Sequence, residues 1–235
     1  MKMITLLNKK VKRESSFSSR LLLVTAFFLF VFAGSSTVQA QVTTIKDWTP
    51  EFSGTSTTAQ TITYAVPAGT NSNRLLVVSI ATTTRTEGSR TVTLSYGGQA
   101  MTLAQGDMGT TNRRQHTAVY YLNEAGLDAA TNSTLSVRVQ DGTSVLTTVW
   151  AAVFDFVDQS SPITNSRNIN SNTLATTFSL STNLNIAAGD QAIFVANSCR
   201  TGSTNTRTFS TFPNFTLVSQ DNDIFNTSPN ANDIA

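Results

Sequence analysis

The sequence is poor in the residues that most often hold metals, form crosslinks or move protons near neutral pH. Among 235 residues there is one cysteine, Cys199, and one histidine, His116. A lone cysteine excludes an intramolecular disulfide. A lone histidine removes any multi-histidine zinc or copper site and leaves a Ser-His-Asp triad only through His116. No G-x-S-x-G elbow is present to supply its nucleophile. Charged residues make up only 13% of the chain, prolines number five and tryptophans two. No long segment holds a helical period, so an α/β architecture has nothing to build its helices from; residues 123–131 have room for a turn or two.

Basic charge is also scarce outside the N-terminus. Six of the 16 basic residues and one of the 14 acidic ones lie within residues 1–40, which leaves ten basic and 13 acidic residues and a net charge of −3 for the rest. Lys46 is then the only lysine. The basic pI belongs to the N-terminal segment, and it gives no support to nucleic-acid binding. That segment runs from Lys2, Lys9, Lys10, Lys12, Arg13 and Arg20 into the apolar stretch from Leu21 to Gly34, and ends on Val38-Gln39-Ala40. A basic region, a short apolar core and a small-x-small ending predict a cleavable signal peptide over 1–40, cut after Ala40. Its core falls short of the roughly 20 residues that span a bilayer. The expected product is secreted or cell-surface protein without a membrane span, with residues 41–59 as a lead-in and 60–235 as one domain.

What the chain has in abundance is threonine and serine, 56 of residues 41–235, interleaved with β-branched and aromatic residues. Strands are predicted at 61–66, 74–81, 91–96, 100–104, 116–122, 134–139, 145–156, 173–181, 191–197 and 215–220. Short runs at this spacing, punctuated by Gly, Asn, Ser and Pro, predict an all-β, antiparallel β-sandwich of the Ig-like or jelly-roll-like kind. Threonine suits the wet face of such strands.

The most patterned stretch is TVTLSYGGQAMTLA, residues 91–104. A two-residue turn at Gly97-Gly98 sets Tyr96 opposite Gln99, Leu94 opposite Met101 and Val92 opposite Leu103, with Val92, Leu94, Met101 and Leu103 on one face. Glycine at both positions suits the positive φ angles of a type I′ turn. A phosphate loop needs other spacing and a following helix. The continuous apolar run around Trp150 predicts a central strand covered on both faces, making Trp150 a core residue, with a sugar platform as the other role open to it. FVANSC predicts the end of a buried strand carrying an inert Cys199 thiol, against a nucleophile or an intermolecular bridge.

Binding and catalytic candidates are few. His116 follows the polar loop GTTNRRQ, so an exposed strand-end position is expected. Asp107, Glu124, Asp128, Asp141, Asp155, Asp158 and Asp190 fall mostly at predicted loops, where solvated turn residues are expected, and no two stand out as a glycosidase pair. Asp221 and Asp223, flanking Asn222, offer oxygen ligands to calcium from a loop, although Asp/Asn clusters also form turns. Arg113-Arg114 is either a solvated loop or a contact for an anionic glycan.

The succession RLLVVSI (74–80), VTLSYGGQAMTLA (92–104), AVYYLNEAG (118–126), WAAVFDFVDQSSPI (150–163) and IAAGDQAIFVAN (186–197) resembles a β-sandwich module of large secreted and surface proteins of bacteria, notably Bacteroidetes. The resemblance spans about residues 60–220. It implies a multidomain, bacterial setting beside repeat, adhesive or sorting domains, and transfers no catalytic residue. The family pattern continues with further apolar strands, which implies that the chain is a piece of a longer protein or an incomplete sandwich. The functions expected are, first, a non-enzymatic module for adhesion or for binding an extracellular polymer, glycan or protein; second, a structural spacer within a larger secreted enzyme; third, a hydrolase using an unrecognised carboxylate pair.

Overall fold

A computed structural model of the protein describes residues 41–56, 58–69, 73–84, 86–112, 114–140, 145–168, 186–195, 197–201, 221–225 and 230–234, the last three segments as backbone. The expected leader at 1–40, the predicted strands at 173–181 and 215–220, Arg113 and Asp141 lie outside the described residues.

The architecture is all-β and antiparallel, consistent with a β-sandwich. Strands β1 (Thr43–Ser56), β3 (Leu75–Thr83), β6 (Thr102–Gly106), β7 (Gln115–Asn123) and β9 (Val145–Asp155) form one sheet in the order β1-β9-β3-β7-β6. Strands β2 (Gln60–Thr63), β4 (Thr91–Tyr96), β5 (Gln99–Ala100) and β8 (Thr134–Gln140) form the second in the order β2-β8-β4-β5. Between them, Leu76, Val78, Ile80, Tyr120, Leu122, Val149 and Val153 of the first sheet meet Leu94, Tyr96, Leu135, Val137 and Val139 of the second in one buried cluster. Burying each such side chain is worth about 1.5–3 kcal/mol, which makes this cluster the main source of stability.

The central strands β3 and β9 are buried at every residue, as their unbroken apolar runs predict. Their second face carries Leu75, Val77, Ala152 and Phe154, packed with Val157 and Trp48, and the Trp48 ring stands edge-on to Phe154 at 6.3 Å. Trp150 is a core residue on this face, beside Ala81 and Trp48. A further three-stranded sheet, β10 (Asn197–Thr201), β11 (Asp221–Phe225) and β12 (Asn230–Ile234), has the order β10-β12-β11, and the backbone of β10 runs close to β7 and β3.

Three expectations need correction. The stretch 41–59, read as a lead-in, holds the 14-residue strand β1 along the edge of β9. Pro50 and the charges of Lys46, Asp47 and Glu51 break the alternation that marks a strand; an edge tolerates them because one side of the ladder is free, and β1 shifts register three times to do so. Second, the Gly97-Gly98 hairpin forms, with φ angles of 53° and 85°, Tyr96 paired with Gln99 and the Met101 amide donating to the Leu94 carbonyl at 3.0 Å, but it ends there. The chain crosses to the other sheet at Met101, so Leu103 pairs with Tyr120 instead of Val92 and is 52% exposed. Third, residues 191–195 are not a strand. After the Ala187–Asp190 turn, Gly189 and Gln191 bond to Val42, holding the chain against the start of β1 without a ladder, and the strand begins only at Asn197. Cys199 therefore sits within β10, opposite Asn232.

Candidate functional site

At the end of the sandwich where β3 finishes and β7 and β9 begin, His116 and Asp107 converge with Arg90, which the sequence did not single out. Arg90 precedes β4 and is only 4% exposed. A buried guanidinium is tolerated only when its donors are used, and Arg90 donates to the carbonyls of Gly88 at 2.6 Å and Ser89 at 3.0 Å, to the more distant carbonyl of Thr86 and to Thr84 Oγ1. It thereby folds the connection from β3 to β4 around itself. Its own amide donates to the Met108 carbonyl at 2.6 Å, tying that connection to the one between β6 and β7.

His116 lies beside it, 1% exposed and opposite Thr82 of β3. Its Nδ1 is 2.9 Å from the Asp107 carbonyl and its Nε2 is 2.9 Å from the Gly88 carbonyl. The Asp107 carboxylate is 3.8 Å from Nδ1 and accepts the Thr117 amide at 2.8 Å, while the Asp107 carbonyl also accepts the Thr110 amide at 3.0 Å. The expectation of an exposed histidine is overturned. In a strand, positions two apart share a face, and His116 is in phase with the buried Ala118, Tyr120 and Leu122. Arg90 is likewise in phase with Leu94 and Tyr96. That phase was the signal in the sequence for both.

Above this buried knot, Glu87, Ser89, Thr111, Asn112 and Arg114 are exposed. The Arg114 carbonyl accepts the Thr84 amide at 2.8 Å, so even the outer loop is fastened to the knot. The arrangement offers hydroxyl, amide and charged groups on a fixed base. His116 has no route to bond chemistry here, because it is enclosed and both ring nitrogens face backbone carbonyls.

The opposite end holds a second network. Glu124 opens the short helix α1 (Glu124–Asp128), whose N-cap Asn123 accepts the Gly126 amide. The Glu124 carboxylate receives the Arg74 amide at 2.6 Å and the Arg74 guanidinium, and Gln159 bridges the Glu124 amide and the carbonyls of Arg74 and Val157. Burial works against the charged Glu124, but the hydrogen bonds and charge of Arg74 outweigh it and hold the carboxyl below its ordinary value. Beside this network, Arg74, Tyr96, Leu127 and Asn132 line a cavity of about 230 Å³.

The carboxylates expected to be solvated are therefore mostly engaged. Asp107, Glu124 and Asp155 are buried, and Asp155 accepts the Phe156 amide where β9 turns out of the sheet through a left-handed Phe156. Asp158 and Asp190 are exposed turn residues that accept Ser160 and Ala187 amides. Asp221 and Asp223 lie in β11, opposite Ile234 and Asn232, not in a loop; the pattern missed this because Asp and Asn are rare in strands. Among the described residues no three His, Cys, Asp or Glu are grouped as a metal would need, and no helix is long and apolar enough to cross a membrane.

Comparison with protein-family models, curated proteins and solved structures finds no match to this chain.

Proposed function

We propose that this protein is an exported, non-enzymatic module of the Ig-like or jelly-roll-like kind, cleaved from its leader after Ala40. In this reading it binds an extracellular polymer or glycan through the loop end built on Arg90, His116 and Asp107. The observation that carries this reading is the buried knot itself. It fixes two connections of a rigid sandwich while Asn112, Arg114, Glu87 and Ser89 stay exposed above it, and a rigid frame carrying polar loops is the common layout of a recognition surface. The leader pattern and the motif resemblance to bacterial surface modules support the same reading. A calcium ion at Asp221 and Asp223 would be accessory to it.

The test is a glycan array together with a cell-adhesion assay on the secreted protein. Binding is expected, and the double variant Asn112→Ala, Arg114→Ala should weaken it about tenfold, the worth of one charge-assisted hydrogen bond of about 1.4 kcal/mol. Folded protein that is blank in both assays, or a double variant that binds as tightly as the parent, would overturn the proposal.

A further inference from the structure

A neutral imidazole has one N–H donor and one lone pair; only the imidazolium donates from both nitrogens. Both ring nitrogens of buried His116 are 2.9 Å from backbone carbonyl oxygens, Asp107 on one side and Gly88 on the other, and a carbonyl oxygen only accepts. A neutral ring therefore satisfies one carbonyl and turns a lone pair against the other, and the ring itself has no exposed surface from which to bond water. The two carbonyls belong to the two connections that carry the proposed binding surface.

From this geometry we infer that His116 is a protonation-dependent latch on that surface, charged when both connections are fastened and releasing one of them when it loses its proton. The inference names the regulation of the proposed site and rests on that reading for its functional consequence.

Among the described residues, the groups around the ring set the balance. From the connection between β6 and β7, the Asp107 carboxylate stands 3.8 Å from Nδ1. From the connection between β3 and β4, the Arg90 guanidinium shares the Gly88 carbonyl, and Glu87 beside Gly88 is exposed to solvent. β3 presents the uncharged Thr82, and the exposed Arg114 lies just before the strand of His116. The sign follows. The protonated ring makes both bonds, so the contribution of the knot is present at lower pH and is lost as pH rises and the ring deprotonates. His116 acts here as a positioning residue, since it touches the loops and not the ligand.

The experiment uses the secreted protein without ligand. Long-range ¹⁵N–¹H NMR should show both His116 nitrogens protonated at the acid end of a series from about pH 5.5 to about pH 8, the range histidine titrates in. Over the same series, protection of the Arg90, Thr110 and Thr84 amides, corrected for intrinsic exchange, should fall by about tenfold or more while β9 amides hold theirs. Asp107→Asn keeps an oxygen for the Thr117 amide but removes the charge beside the ring, and should change the pH at which protection is lost. A single neutral tautomer throughout, protection that does not change with pH, or an unshifted midpoint in Asp107→Asn would each overturn the latch. These readouts need no ligand, so a blank glycan array would defeat the binding role and leave them untouched. Binding that persists over loops whose protection ignores pH would defeat the latch alone.

Discussion

At the scale of single residues, the largest individual effects belong to polar groups placed inside. Arg74 and Glu124 have side chains only 16% and 10% exposed, and removing the Glu124 charge leaves the half-enclosed guanidinium with the exposed Asp128 carboxylate at 3.3 Å as its remaining ion-pair partner. Glu124→Gln should lower stability by about 2–3 kcal/mol at pH 7, read from urea unfolding. Because the folded carboxyl lies below its ordinary value of about 4.3, its contribution is present above that value and lost as pH falls through the folded one. The parent should therefore lose stability more steeply between about pH 5 and pH 3 than the variant; parallel acid limbs would count against this account. Neither network was legible as a network. The alternation of HTAVYYL places His116 on the buried face, yet nothing local says which carbonyls meet it, because Gly88 is 28 positions away.

At the scale of elements, turn chemistry was readable and strand destination was not. Gly97 and Gly98 both require positive φ, which their identity announced. They differ in surroundings that only packing creates. A Cβ at Gly97 would stand 2.5 Å from the Ala130 Cβ and 2.6 Å from the Asn132 carbonyl oxygen, whereas one at Gly98 meets nothing within 4 Å. Gly98→Ala should cost about 1–2 kcal/mol for the left-handed conformation alone. Gly97→Ala should cost clearly more, because backbone at the start of β8 must move. Thermal unfolding of the two single variants checks this, and equal losses would show that the crowding is relieved. β1 shows the reverse case: its bulges and Pro50 hide a strand from any periodic reading, and only the edge of β9 gives it a ladder.

At the scale of the whole molecule, the two sheets share one core, so unfolding is expected to be a single transition for the sandwich. Leu135 and Leu103 separate pattern from packing. Leu135 is fully buried between the sheets, and Leu135→Ala should cost about 2–5 kcal/mol in chemical denaturation. Leu103, placed on the buried face by simple hairpin extension, is exposed after the crossing at Met101, and Leu103→Ala should change stability by no more than about 0.5 kcal/mol. A large loss for Leu103→Ala would mean that the hairpin continues beyond Met101.

The sequence by itself determined the all-β class, most strand positions, the glycine turn and the central place of β3 and β9. Each of these follows from near-neighbour chemistry: alternation by two, β-branched content and the φ freedom of glycine. Tertiary structure alone decided that the chain changes sheets at Met101, that residues 43–56 form an edge strand, and that Arg90, Asp107 and His116 come together. Those outcomes depend on partners distant in sequence, whose pairing is fixed by the burial of a shared core and by the cost of leaving enclosed charged and polar groups without hydrogen bonds.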